Sequence, residues 1–188
     1  MSVSTHLMVP GRPASDSWIE ANLDGKTMGD CYFNAKGHKY RLVQLTYQTD
    51  LDGTAVAAND VLVWIDIDEF EVTDDTAKGV DSTNPMPAGV CEGAFTAGAT
   101  DAAAANVCIL VVIDGPTTVA TGATDDIVEG DMLMAHTVDS TCIQYDVPAA
   151  DALTTVDTTL RLKTWLGWAT AADDDTADTV TAWVRPIF

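Results

Sequence analysis

Short apolar, strand-like runs separated by turn residues recur along this chain, and helix-like stretches are scarce. Cys31–Phe33 and residues 38–45 flank the turn Asn34-Ala35-Lys36-Gly37 and predict a β-hairpin. In its second strand Tyr40, Leu42 and Gln44 alternate with Arg41, Val43 and Leu45, so both faces should be covered. Residues 61–67 and 70–73 predict two more strands, and 74–88, with Pro85 and Pro87, a loop before a strand over 89–95. Residues 107–113 form the longest apolar run. They predict a central strand closed by a turn at Asp114-Gly115-Pro116. Strands over 117–121, Met132–Ala135, 142–145, 165–170 and Thr179–Val184 complete the series, with an acidic loop, 171–178, between the last two. Residues 101–106, four of them alanines, predict one helical turn at most. Short strands separated by Gly, Asp, Asn and Pro imply an all-β fold: a single β-sandwich or barrel-like (β-tulip-like) domain over 21–188. Residues 1–20 carry Pro10, Gly11 and Pro13 and no period, and read as an extended N-terminal arm.

One pattern occurs twice. Ala57-Ala58-Asn59-Asp60 precedes Val61-Leu62-Val63, and Val128-Glu129-Gly130-Asp131 precedes Met132-Leu133-Met134. Asn and Gly tolerate positive φ, and Asp can bond the turn backbone, so one β-turn solution is expected at both places.

Composition narrows the function. The 188 residues suffice for a core that needs no disulfide staples. Twenty-nine acids against nine Lys and Arg give a net charge of −20. That excludes a nucleic-acid partner, which needs a basic surface, and disfavours an anionic membrane. The acids are 24 Asp and 5 Glu, and Asp is a poor helix former. Charge is also uneven: residues 1–45 sum to +1 and 46–188 to −21, which suggests a near-neutral docking segment and an acidic, soluble body. No charged stretch followed by an apolar run opens the sequence, so no secretory signal is expected. No run approaches the ~20 residues that a membrane helix needs.

Candidate chemistry is sparse. Cys31, Cys91, Cys108 and Cys142 lack C-x-x-C spacing and read as reduced, half-buried core thiols, with no zinc site. Cys142 and His136 could meet across a hairpin, but nothing orients the imidazole, and a core cysteine is the better reading. No nucleophile elbow, H-E-x-x-H or phosphate-cradling loop occurs. Acid clusters at Asp66, Asp68 and Glu69, at Asp74 and Asp75, at Asp125 and Asp126, and at Asp173, Asp174 and Asp175 could each attract calcium. None fits the EF-hand pattern, so counterion screening is the expectation. Trp18, Trp64, Trp165, Trp168 and Trp183 could form a sugar platform, but their apolar surroundings favour core or subunit-interface packing. No catalytic residue, metal or cofactor is expected, and the chain does not read as an enzyme. In the arm, Val3, Leu7, Met8, Val9 and Trp18 are too apolar for an inert tail. With Arg12 they are the candidate partner contacts.

Met28-Gly29-Asp30-Cys31-Tyr32-Phe33 and then Gly37-His38-Lys39-Tyr40-Arg41-Leu42-Val43 place a Gly turn before a Tyr-Arg strand. Residues 61–64, then Phe70-Glu71-Val72-Thr73-Asp74, Ala88-Gly89-Val90 and residues 111–119 follow in order. Glu129-Gly130-Asp131-Met132-Leu133, Leu166-Gly167-Trp168-Ala169 and residues 181–188 complete the series. This order resembles bacteriophage capsid decoration proteins, also called head cement or auxiliary proteins. The Ala-rich insert at 101–106 and the loop 148–159 depart from their short turns. The resemblance implies an all-β structural protein made in the host cytoplasm and bound to the capsid exterior. There it would clamp neighbouring subunits of the major capsid protein, as a homotrimer and without catalytic residues. The alternative is a virion-borne or extracellular adhesin module for carbohydrate or calcium.

Overall fold

The protein's structure, a computed structural model, describes residues 14–15, 28–45, 56–76, 79–81, 85–94, 107–122, 126–136, 140–144, 163–173 and 177–187. It is all-β. Its strands are β1 (Ala14–Ser15), β2 (Cys31–Phe33), β3 (Lys39–Leu45), β4 (Val61–Asp66), β5 (Glu71–Thr73), β6 (Pro87–Cys91), β7 (Val107–Ala120), β8 (Met132–Ala135), β9 (Cys142–Gln144), β10 (Trp165–Ala169) and β11 (Thr179–Val184).

The most apolar segment of the sequence becomes β7, and β7 organises everything else. Its first half pairs antiparallel with β3 along one side, from Lys39↔Asp114 to Leu45↔Val107. On the other side it pairs with β6 at Val112 and Val111 and with β1 at Cys108 and Val107. β6 continues to β4, β4 to β5, and β5 returns to β3 through a short parallel pairing, Gln44↔Glu71 and Leu45↔Val72. The circuit β3-β5-β4-β6-β7 closes into a mixed five-stranded barrel. Closure removes the open edges that two-sided apolar strands would otherwise expose. Val43, Leu45, Leu62, Trp64, Val72, Ile109 and Val111 fill it, among others. Barrel interiors of this size are filled by side chains and form a core rather than a channel.

The second half of β7 leaves the barrel and pairs with β11, from Val184↔Gly115 to Thr179↔Ala120. β10, β8 and β9 extend this second sheet. The expected turn at Asp114-Gly115-Pro116 is therefore a bend inside one 14-residue strand. Gly115 has φ +131°, a value that L side chains rarely adopt, and His38 packs directly against it. Pairing with β3 before the bend and β11 after it keeps the chain extended where the local sequence alone signals a turn. The inner face of the second sheet packs on the barrel's outer face. Leu133, Leu166, Val180 and Val184 meet Val61, Val63 and Val90 in one buried layer. A third cluster, Tyr40, Leu42, Cys108, Leu110 and Val112, lies on the barrel face beneath Met28 and Tyr32.

The repeated turn takes the same form at both sites. The Asp60 carboxylate accepts the Ala57 N–H at 2.7 Å, and the Asp131 carboxylate accepts the Val128 N–H at 2.9 Å. Asn59 has φ 78° and Gly130 φ 95°. Other expectations need correction. β6 begins at Pro87 rather than at 89, since a proline can open a strand where its missing N–H costs little. Within the stretch read as an extended arm without strand periodicity, Ala14–Ser15 pairs with β7 as β1. Cys31 is exposed, not half-buried, because it lies on β2 at the end of the strand order, whereas Cys91, Cys108 and Cys142 are buried; none of the four forms a disulfide. The helical turn expected at 101–106 lies outside the described residues.

Candidate functional site

Strands β8 to β11 and residues 115–120 of β7 contain no Asp, Glu, Lys or Arg. On the inner face that is ordinary core chemistry. On the outer face of an acidic chain it needs another explanation. Register builds a continuous apolar row there. Met132 pairs with Trp168, Trp168 with Trp183, and Trp183 with Pro116. A second row pairs Ile143 with Met134 and Met134 with Trp165. Met132 is 42% exposed and Trp183 37%.

The tryptophans form a ladder. Trp165 and Trp168 stack with ring centroids 6.2 Å apart, and Trp168 and Trp183 at 6.1 Å with planes 5° apart. Residues three apart normally face opposite sides of a strand. A register shift between Trp165 and Gly167 puts both β10 tryptophans on one side. Gly167 is required at this irregularity: a Cβ there would collide with the Trp183 carbonyl. Polar handles fix the rings. Trp165 Nε1 donates to the Gly167 carbonyl at 2.8 Å, and Trp183 Nε1 to Asp114 Oδ1 at 3.0 Å. Only Trp64, of the four described tryptophans, is a core residue, with the Arg41 guanidinium 5.7 Å from its ring. Of the two expectations, core or subunit-interface packing, Trp64 meets the first, and Trp165, Trp168 and Trp183 lie on the outer face of the sheet instead. The W-L-G-W spacing was the available signal, because a glycine between aromatics in a strand marks a bulge or a close backbone approach.

A polar cluster lies at the start of β3. The Tyr40 hydroxyl donates to Glu92 Oε2 at 2.9 Å, receives Asn34 Nδ2 at 3.1 Å and lies 3.2 Å from His38 Nδ1. Burial, and then the bond to Glu92, hold the phenol well above its ordinary range. The cluster ties the β2–β3 turn to the end of β6. Close by, Phe33 is 74% exposed, with Lys39 Nζ 5.8 Å from its centroid.

The other candidates do not gather into a centre. Val3, Leu7, Met8, Val9, Arg12 and Trp18 lie outside the described residues. Cys142 is buried in the layer between barrel and sheet. Asp66 Oδ1 accepts the N–H groups of Asp68 and Glu69 at 2.9 and 3.2 Å, so this cluster closes a turn. Among the described residues no three His, Cys, Asp or Glu side chains are placed to hold a metal ion. Asp60 is 6% exposed, and burial pushes its carboxyl up to about 6 against the pull of the Ala57 N–H. Burial likewise pushes the Cys91 thiol up to about 11.

No protein-family model matches the chain, and no curated protein matches it. Among solved structures it is similar to the crystal structure of the head fiber gp8.5 N base of bacteriophage phi29. The TM-score is 0.45 and the identity 17%, over 78% of this chain and 92% of that one.

Proposed function

We propose that this protein is a structural component of a phage virion, bound to the outside of the capsid, where it clamps neighbouring major capsid subunits. The observation that carries the reading is the ordered series of segments resembling capsid decoration proteins. They fall in sequence on β2 and β3, β4 and β5, β6, β7, β8, and the β10–β11 hairpin. The sequence series and the strand series thus run in parallel over the body. The apolar arm residues Val3, Leu7, Met8, Val9 and Trp18, with Arg12, are the contacts to the major capsid protein. The uncharged outer sheet face offers a second interaction surface, and self-association, with three copies as the expectation, belongs to the same reading. Many modest contacts raise one another's effective concentration and hold a shell that no single contact could.

The test adds the purified chain to capsids that lack it and follows release by salt and heat. Removing residues 1–12 keeps β1 and its pairing to β7. The truncated protein should melt where the full chain does and leave capsids at milder salt. Failure of the full chain to bind sinks the reading, and full affinity after truncation moves docking from residues 1–12 to Trp18 or the body. A carbohydrate-binding module is the second reading, favoured by the exposure of Trp183. Retention on a glycan array, with loss in Trp183→Ala, would select it.

A further inference from the structure

We infer that the outer face of the β8–β11 sheet is the surface through which two copies of this chain meet. The inference deepens the self-association named above but is independent of capsid attachment, since it concerns the free protein.

Like charge is the first argument. Two bodies that each carry −20 repel wherever acids face acids. Strands β8 to β11 and residues 115–120 of β7 carry no acid, and the Asp114 carboxylate at the edge accepts the Trp183 N–H, so here two copies approach with fewer opposing carboxylates than elsewhere. The same acidity that blocks other contacts therefore selects this one.

Apolar content is the second. Met132, Trp168, Trp183 and Pro116 form one row, and a cluster of aromatics with Met is the composition of an interface centre. The indole rings lie against one another. Trp168 has a ring neighbour on either side, while ring edges and the Met flank remain for close protein packing.

The two ends of the face are the third. Arg185 follows Trp183 by two positions, outward and exposed, and exposed Lys163 precedes Trp165 by two. At the opposite end Asp178 is exposed at the close of the β10–β11 loop, while the Asp173 carboxylate is turned to the Thr121 hydroxyl. Each copy thus offers two exposed cations at one end, beside the Asp114 carboxylate that accepts the Trp183 N–H, and an exposed acid at the other. A neighbour's acid can meet this copy's cations, so one surface carries both halves of its own complement.

The experiment measures the mass of the full chain by light scattering at tens of micromolar, without capsids. The expected result is a multiple of 19.9 kDa of two or more. Thr181→Glu and Met132→Glu each place an acid on the face without replacing a tryptophan, and each should shift the protein to monomer with an unchanged circular dichroism spectrum. Val80→Glu, at an exposed apolar position outside these strands, should leave the mass unaltered. A monomeric wild type overturns the inference, as does an oligomer that survives both face variants or is dissolved equally by Val80→Glu. Capsid binding is scored separately. A chain that oligomerises but does not bind capsids refutes the proposed function and leaves this interface standing.

Discussion

Replacing Asp60 by Asn should make the protein more stable at neutral pH, and only there. Asp60 sits in the turn before β4, 6% exposed, and its carboxylate accepts the Ala57 N–H. Burial is the largest influence on it, and the nearby Asp74 carboxylate adds repulsion, so its carboxyl titrates at about 6 rather than 3.8. The folded state therefore holds this proton more tightly than the unfolded chain. Below pH 3.8 the carboxyl is neutral in both states and its full contribution to stability is present. As pH rises through about 6 the proton is lost from the folded state, and the contribution goes with it. At ~1.4 kcal/mol for each pH unit between the two values, the loss is on the order of 3 kcal/mol. Asn keeps an oxygen for the Ala57 N–H and carries no charge. In a chain of this size ~3 kcal/mol corresponds to roughly 6–12 °C in Tm. Melting curves of both proteins from pH 3.5 to 8 provide the assay. The two should coincide at the acid end and separate between pH 4 and 7, with the variant higher. A variant that melts lower at pH 8, or a gap that does not change with pH, would refute the reasoning. Either result would mean that the ionised carboxylate is held by its hydrogen bonds more firmly than burial opposes it.

Two further outcomes follow from the same packing. Gly167→Ala drives a methyl into the Trp183 carbonyl and must part β10 from β11; urea unfolding should show a loss of ~2–4 kcal/mol, and a loss under ~0.5 would mean the strands part freely. Alkylation of the native protein should label Cys31 rapidly and alone, and denaturation without reductant should raise the count to four adducts, since Cys91, Cys108 and Cys142 are buried and none is in a disulfide; rapid labelling of a second thiol, or fewer than four in the end, counts against the packing.

Much of the fold was legible in the sequence because alternation and turn chemistry are local. The β2–β3 hairpin is set by Asn34 and Gly37, whose neighbours bond back to Asn34 Oδ1. The paired turns at Asp60 and Asp131 follow from one side chain reaching one backbone N–H. Centrality of 107–113 follows from its unbroken apolar run. What was not legible depends on partners distant in sequence. Asp114-Gly115-Pro116 signals a turn by every local rule, and only β3 and β11 hold it straight enough to continue. The outer face was hidden for a similar reason. Trp165 and Trp168 share a side only because the register slips at Gly167, and Trp183 joins them only through the β10–β11 pairing. The arm contacts lie outside the described residues and are read from composition.

The passage of β7 from barrel to sheet has a mechanical consequence. A strand with β1 and β3 at one end and β11 at the other is a common load path. Tension entering near Val107 and leaving near Ala120 runs along it and loads its antiparallel hydrogen bonds in shear, many at once rather than one after another. The barrel and the sheet are then one cooperative unit, because neither can shed its stretch of β7 without exposing the layer packed between them. A protein built this way gives way all together or not at all.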